Sequence, residues 1–136
     1  MVKYLRSINQ AEHSREHYKV LPPPDPEKWA RICLNIIRHY NEGWADGYHY
    51  DIQYWEIWNE PDLGFKDGRW KKNMSPTWNG SDGDFFKFYE TAANHLNKCF
   101  PDLKIGGPAL CENDAWADNF LKYMSEHKVD LDFFSY

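Results

Sequence analysis

Residues 54–62 read YWEIWNEPD, and this stretch is the most informative in the chain. Its aromatic and β-branched residues predict a strand over residues 51–59, which the following proline ends because proline cannot continue a hydrogen-bonded ladder. The two-residue period of a strand would place Glu56, Trp58 and Glu60 on one side. Glu60 comes last, at the tip of a rigid element and beside tryptophan. We therefore interpret Glu60 as a candidate general acid.

Both glutamates also have structural interpretations. Glu60 could simply begin a loop and accept hydrogen bonds from backbone amides. Glu56 lies deeper in the predicted strand, where we expect an interior ion pair with Arg6 of the neighbouring predicted strand.

Strand-like and helix-like segments alternate on both sides of this stretch. A helix is predicted to begin at Pro26 with Asp25 as its N-cap. The other predicted helices cover about 84–99 and 115–127, and the predicted strands cover 2–8, 51–59, 103–109 and 131–136. Such alternation predicts βαβ units with a parallel sheet. The long connections follow the strands, so one functional face is expected at their carboxyl ends.

The composition excludes several classes of function. The 136 residues suit one domain, and the net charge of −5 argues against binding to nucleic acid or to an anionic membrane surface. The three cysteines are scattered without CxxC spacing, which predicts neither a disulfide framework nor a zinc ribbon, and no cofactor is expected. The first residues lack the apolar stretch of a signal peptide, so a cytoplasmic protein is expected if Met1 is the true start.

Nearly the whole chain resembles glycoside hydrolase family 39 of clan A, which contains β-xylosidases and α-L-iduronidases. WEIWNEPD resembles the family's fourth-strand signature. The matching segments around it are DPEKWARICLNIIRHYNEGWADG (25–47), PTWNG (76–80), FPDLKIGGPA (100–109) and DFFSY (132–136). The resemblance implies an α/β fold, namely about half of a TIM (β/α)8 barrel. Residues 1–136 would form approximately strands three to six of a glycoside hydrolase catalytic domain.

The resemblance also implies retaining hydrolysis of an oligosaccharide or glycoside by two carboxylates. Glu60 corresponds to the acid/base, which protonates the departing oxygen and then deprotonates the incoming water. Asn59 corresponds to the residue that contacts a sugar hydroxyl, typically at the 2-position. His13, in the Glu12–His13 pair, corresponds to a residue that helps to hold the sugar, although an exposed loop histidine is an alternative.

Two aromatic residues are further candidates for substrate binding, in a chain with 18% aromatic residues. Trp78 is interpreted either as a stacking platform for sugar or as a core anchor beneath a long loop. Tyr136 comes just before the point where the family usually has a sugar-binding histidine, which this chain lacks.

The family's nucleophile ends the seventh strand, beyond Tyr136. Retaining chemistry needs that carboxylate about 5 to 5.5 Å from the acid/base. Asp62, Glu112 and Asp114 do not match its position, so the chain is expected to carry the acid/base without a nucleophile and to be inactive alone. An open half sheet would also expose its edges and favour self-association.

Two other interpretations stay open at this stage. One is a non-catalytic half-barrel that binds carbohydrate or pairs with a complementary half. The other is a zinc peptidase, because residues 13–17 (HSREH) fit the HxxEH pattern. The segment is short and has no persuasive third ligand, so coincidence is the preferred interpretation and no metal site is predicted.

Overall fold

The computed structural model describes residues 21–63, 77–111 and 113–136. Helices and strands alternate along them: α1 (Pro26–Asn41), β1 (Tyr54–Glu56), α2 (Asp82–Cys99), β2 (Lys104–Gly107), α3 (Asp114–His127) and β3 (Phe133–Phe134). The strand predicted over residues 2–8 lies outside the described residues, as does Arg6. None of these three helices is long and apolar enough to cross a membrane.

The three strands form one parallel sheet in the order β1–β2–β3. Trp55 pairs with Ile105, and Gly106 pairs with Phe133. The α/β arrangement with a parallel sheet, expected from the sequence, is therefore confirmed. Because the strands run in the same direction, the segments that follow them lie along one edge of the sheet. We call this edge the carboxyl edge.

Side chains at the helix starts explain where the helices begin. The Asp25 carboxylate accepts a hydrogen bond from Lys28 N at 2.8 Å, as expected of the predicted N-cap. Helix α2 begins two residues earlier than predicted because Ser81 and Asp84 form a capping box. In it, Ser81 Oγ accepts from Asp84 N, and the Asp84 carboxylate accepts from Ser81 N, both at 3.1 Å. The apolar pattern used for the prediction does not include these polar residues.

The core lies between the sheet and the helices, and its central part is aromatic. Trp55 and Ile105, neighbours in the sheet, are 5% and 0% exposed. One group of rings joins α1, α2 and the segments that precede α2. We call it the aromatic cluster, and its members are Trp29, Trp58, Trp78, Phe85 and Phe88.

Strand β1 is shorter than the predicted strand over residues 51–59. Its neighbours Asp51, Trp58 and Glu60 have φ values of 53°, 73° and 51°. These lie in the left-handed region, which interrupts an extended conformation on both sides of β1. Beyond β1, side chains therefore no longer alternate between the two faces of the sheet, as the prediction over residues 51–59 assumed.

As a consequence, the prediction that Trp58 shares one side with Glu56 is wrong. The Trp58 ring packs in the aromatic cluster, 5.3 Å between centroids from Phe88 of α2. The Glu56 carboxylate instead accepts a hydrogen bond from the hydroxyl of Ser135, which follows β3. Among the described residues, this hydroxyl occupies the place expected for an ion-pair partner.

Candidate active site

Glu60 is fixed by its backbone at the carboxyl edge. Its N–H donates to the carbonyl of Ala109 at 2.8 Å. Its carbonyl accepts from Leu63 N at 3.1 Å and from Thr77 Oγ1 at 2.5 Å. A left-handed conformation in a residue other than glycine costs about 1–3 kcal/mol, and residues held in this way concentrate at functional sites. The three hydrogen bonds hold Glu60 in that conformation.

Glu60 is half-buried. Within residues 21–63, 77–111 and 113–136, no group forms a hydrogen bond or an ion pair with its carboxylate. The alternative in which this carboxylate accepts backbone amides is therefore not seen in that part of the chain. Asn59, directly before it, is also half-buried, and its amide has no partner in the same ranges. Asn59 and Glu60 thus form an adjacent pair that is available to a ligand.

Asp62 contrasts with Glu60, because the residue is 2% exposed and each of its carboxylate oxygens accepts a hydrogen bond. Oδ1 accepts from Cys111 N at 2.8 Å, and Oδ2 accepts from Asn113 N at 3.0 Å. Asp62 therefore joins the turn after β1 to the segment between β2 and α3. No local pattern in the sequence marks this role, since the partner amides lie 49 and 51 residues away from Asp62.

Among the described residues, neither Trp78 nor Tyr136 forms a hydrogen bond with Glu60. Trp78 is 1% exposed within the aromatic cluster, and its indole N–H donates to Ser81 O at 3.1 Å. Its ring offers no open face, which fits the core-anchor interpretation. Tyr136 follows β3 at the carboxyl edge and is 95% exposed. His13 lies outside the described residues.

Within the described ranges, no three His, Cys, Asp or Glu side chains are grouped so that they could hold a metal ion. The HxxEH pattern at residues 13–17 lies outside those ranges.

The fold and the site together define an α/β protein whose candidate site is a glutamate at the carboxyl edge of a parallel sheet. The chain belongs to the glycosyl hydrolases family 39, whose sequence model matches residues 4–136. The resemblance inferred from the sequence is thereby confirmed.

Curated relatives and a solved structure agree with this family. A β-xylosidase of Geobacillus stearothermophilus is 32% identical over 119 residues, which are 85% of this chain and 21% of that protein. A β-xylosidase of Caldicellulosiruptor saccharolyticus is 31% identical over 123 residues, which are 88% of this chain and 22% of that protein. The crystal structure of a glucosidase from Croceicoccus marinus has a TM-score of 0.68 at 30% identity and covers 84% of this chain. The chain spans about a fifth of the length of the relatives, and 23% of the glucosidase chain.

Proposed function

We propose that this chain is part of the catalytic domain of a retaining glycoside hydrolase, with Glu60 as the acid/base. The observation that carries the proposal is Glu60 itself: the residue is half-buried, its carboxylate has no partner in the described part of the chain, and its backbone is fixed at the carboxyl edge. Membership of family 39 and the glycosidase names of the relatives support it. We further propose that Asn59 binds a sugar hydroxyl next to the bond that is cleaved.

We also propose that the domain is a TIM (β/α)8 barrel, of which residues 1–136 form approximately strands three to six. Three parallel strands in consecutive order, separated by helices, support this architecture. The 0.68 TM-score to the glucosidase over 84% of this chain supports it further.

In the proposed reaction, Glu60 donates its proton to the glycosidic oxygen as the bond to the sugar breaks. It then removes a proton from the water that hydrolyses the covalent glycosyl intermediate. A second carboxylate must act as the nucleophile, and we propose that it is not among these 136 residues. Asp62 is excluded because both of its oxygens are bound to backbone amides.

The proposed substrates are β-xylosides and glucosides, since the relatives carry the names β-xylosidase and glucosidase. Tyr136 is exposed at the same edge as Glu60, and we propose that it contacts a sugar there. His13 keeps its proposed role as a sugar ligand. Trp78 is proposed as the core anchor that holds Thr77, and through it Glu60, in place.

The test compares Glu60→Gln with the wild type in the protein at its full natural length. Hydrolysis of alkyl xylosides needs protonation of the leaving group, whereas hydrolysis of dinitrophenyl xylosides does not. We expect Glu60→Gln to lower kcat/KM on the alkyl substrate by about 10²- to 10⁴-fold and on the dinitrophenyl substrate far less. The control is Glu42→Gln, because Glu42 is exposed after α1 and pairs with Arg38, remote from the carboxyl edge.

Equal losses on both substrates, or no loss on the alkyl substrate, would contradict the assignment of Glu60. If the wild type binds xylo-oligosaccharides but cleaves none of these substrates, the non-catalytic carbohydrate-binding interpretation replaces the proposal.

A further inference from the structure

We propose that Ser135 is a positioning residue for Glu60, which rests on the proposed function of Glu60 as the acid/base. Ser135 follows β3, which lies two strands away from β1, the strand that precedes Glu60. It acts through the segment that follows the middle strand. The inference comes from a chain of hydrogen bonds, which we call the circuit. It begins at the Glu56 side chain and ends at the Glu60 N–H, and the backbone between Glu56 and Glu60 closes it.

The circuit links the carboxyl ends of all three strands. The Ser135 hydroxyl donates to Glu56 Oε1 and accepts from Ala109 N at 2.9 Å. The carbonyl of Ala109 accepts from Glu60 N at 2.8 Å. A second contact strengthens the middle of the circuit, because the Ser135 carbonyl accepts from Leu110 N at 3.0 Å.

Gly107 allows the Glu56 side chain to cross the middle strand and reach Ser135. A Cβ atom at this position would lie 2.9 Å from the carbonyl oxygen of Ile57 and 3.2 Å from Cγ of Glu56. The φ of Gly107 is also +123°, which disfavours any side chain. The glycine therefore keeps the path between Glu56 and Ser135 open.

The direction of each hydrogen bond follows from the groups involved. An ionised carboxylate only accepts, so the Ser135 proton points to Glu56 and a lone pair of the same oxygen is left for Ala109 N. Ala109 is left-handed, with φ 53°, and lies beyond the end of β2. The Ser135 hydroxyl accepts the hydrogen bond from the Ala109 N–H, which has no ladder partner among the described residues beyond the end of β2. With both its N–H and its carbonyl bound, the backbone of Ala109 transmits the position of Ser135 to Glu60.

A positioning role predicts a selective effect on proton transfer, whereas simple stabilisation of a strand end does not. A displaced acid/base impairs the proton transfer to the leaving group, and small displacements of catalytic groups have large kinetic effects. Substrates that do not need the proton are spared. The informative quantity is therefore the ratio of kcat/KM for the alkyl xyloside to kcat/KM for the dinitrophenyl xyloside.

The test measures this ratio for Ser135→Ala and Ser135→Thr in the protein at its full natural length. Ser135→Ala removes the hydroxyl, and we expect the ratio to fall about tenfold. Ser135→Thr keeps the hydroxyl, and the ratio is expected to stay near that of the wild type. Ser125→Ala, an exposed serine of α3, is the matched control and should leave the ratio unchanged. If Ser135→Ala does not fold, Ser135→Cys takes its place, because a thiol is a much weaker hydrogen-bonding group.

An unchanged ratio in the folded Ser135 variant would overturn the positioning role, even if the absolute rates or the melting temperature fell. An equal fall in Ser135→Ala and Ser135→Thr would overturn it as well, since the hydroxyl would then not be the cause. Glu60→Gln separates the two proposals. If the ratio falls in Glu60→Gln but not in Ser135→Ala, only the positioning role fails. If the ratio in Glu60→Gln stays at the wild-type value, the acid/base assignment fails.

Discussion

At the residue scale, the hydroxyl of Tyr89 has an unusual environment. Tyr89 is 0% exposed, and its hydroxyl has no hydrogen-bond partner in the part of the chain that the structure describes. Burial strongly raises the pKa of Tyr89, and the negative charges of Glu56 and Asp132 raise it further. The phenol therefore stays neutral, and its burial opposes folding because the lost contact with water is not replaced.

We expect Tyr89→Phe to increase the free energy of unfolding by about 1 kcal/mol, since it removes this unpaired group and keeps the ring. The matched variant is Tyr123→Phe, because the Tyr123 hydroxyl donates to Glu90 at 2.8 Å. That change should lower the free energy of unfolding by about 1 kcal/mol. Urea unfolding of both variants checks the opposite signs. A loss of stability in Tyr89→Phe would show that its hydroxyl has a partner after all.

At the element scale, Asp132 joins β2 to the segment that leads into β3. Its Oδ2 accepts from Ile105 N at 3.0 Å, and its Oδ1 lies 3.0 Å from Lys104 Nζ. The Ile105 N–H holds the pKa of Asp132 below its ordinary value, and the nearby Lys104 ammonium lowers it further. In return, the Asp132 carboxylate raises the pKa of Lys104.

The lowered pKa of Asp132 predicts a loss of stability in acid. In the unfolded chain an aspartate titrates near pH 3.9. Because its pKa in the folded state is lower, the contribution of Asp132 is complete above about pH 5 and is lost progressively as the pH falls through the folded pKa. Asp132→Asn should therefore have a lower melting temperature than the wild type at pH 6, and the difference between the two melting temperatures should shrink towards pH 2.

Thermal unfolding between pH 2 and pH 7 measures this difference. Asp130→Asn is the control, because the Asp130 carboxylate has no hydrogen bond among the described residues, and its melting curve should follow the wild type. A difference between Asp132→Asn and the wild type that did not change with pH would contradict the prediction.

The elements also show which features could be predicted from the sequence. Helix α3 is predicted over residues 115–127 and is observed over Asp114–His127, because the apolar stripe that predicts it is a local signal. The predicted strand over residues 51–59 was too long, because its limits depend on left-handed residues that the sequence does not mark. Glu60 could be predicted from its local motif. The contact of Ser135 could not, since its hydrogen-bond partner Glu56 lies 79 residues earlier in the sequence.

At the scale of the whole molecule, one face of the sheet lacks helices among the described residues. Tyr54 is 66% exposed on this face, and its ring lies 5.8 Å between centroids from Phe133. Trp55, the next residue, is buried on the opposite face with the helices. In the barrel that we propose, the face with Tyr54 is the interior. Among the described residues this face is aromatic and exposed, and β1 and β3 each have one unpaired edge, which favours association when the 136-residue chain is produced alone.

We therefore expect the isolated 136-residue chain to self-associate and to hydrolyse no xyloside. Sedimentation velocity measures the association, which Tyr54→Ser should weaken. Tyr50→Ser is the matched control, because Tyr50 is 60% exposed but precedes the sheet and stacks on Tyr48 instead. A monomeric chain at tens of micromolar, or a chain that turns over substrate, would contradict this expectation.

The hydrogen bond between Thr77 and Glu60 has a consequence for how this protein can change over time. Because Leu63 N and Thr77 Oγ1 both bind the Glu60 carbonyl, Leu63 and Thr77 are held at neighbouring points although they are separated in the sequence. The entropy of closing such a segment rises only slowly with its length. A longer or shorter connection between Leu63 and Thr77 would therefore add little to the entropic cost of bringing these two residues together, so that evolution, or a designer, can vary the length of that connection at a small cost in stability.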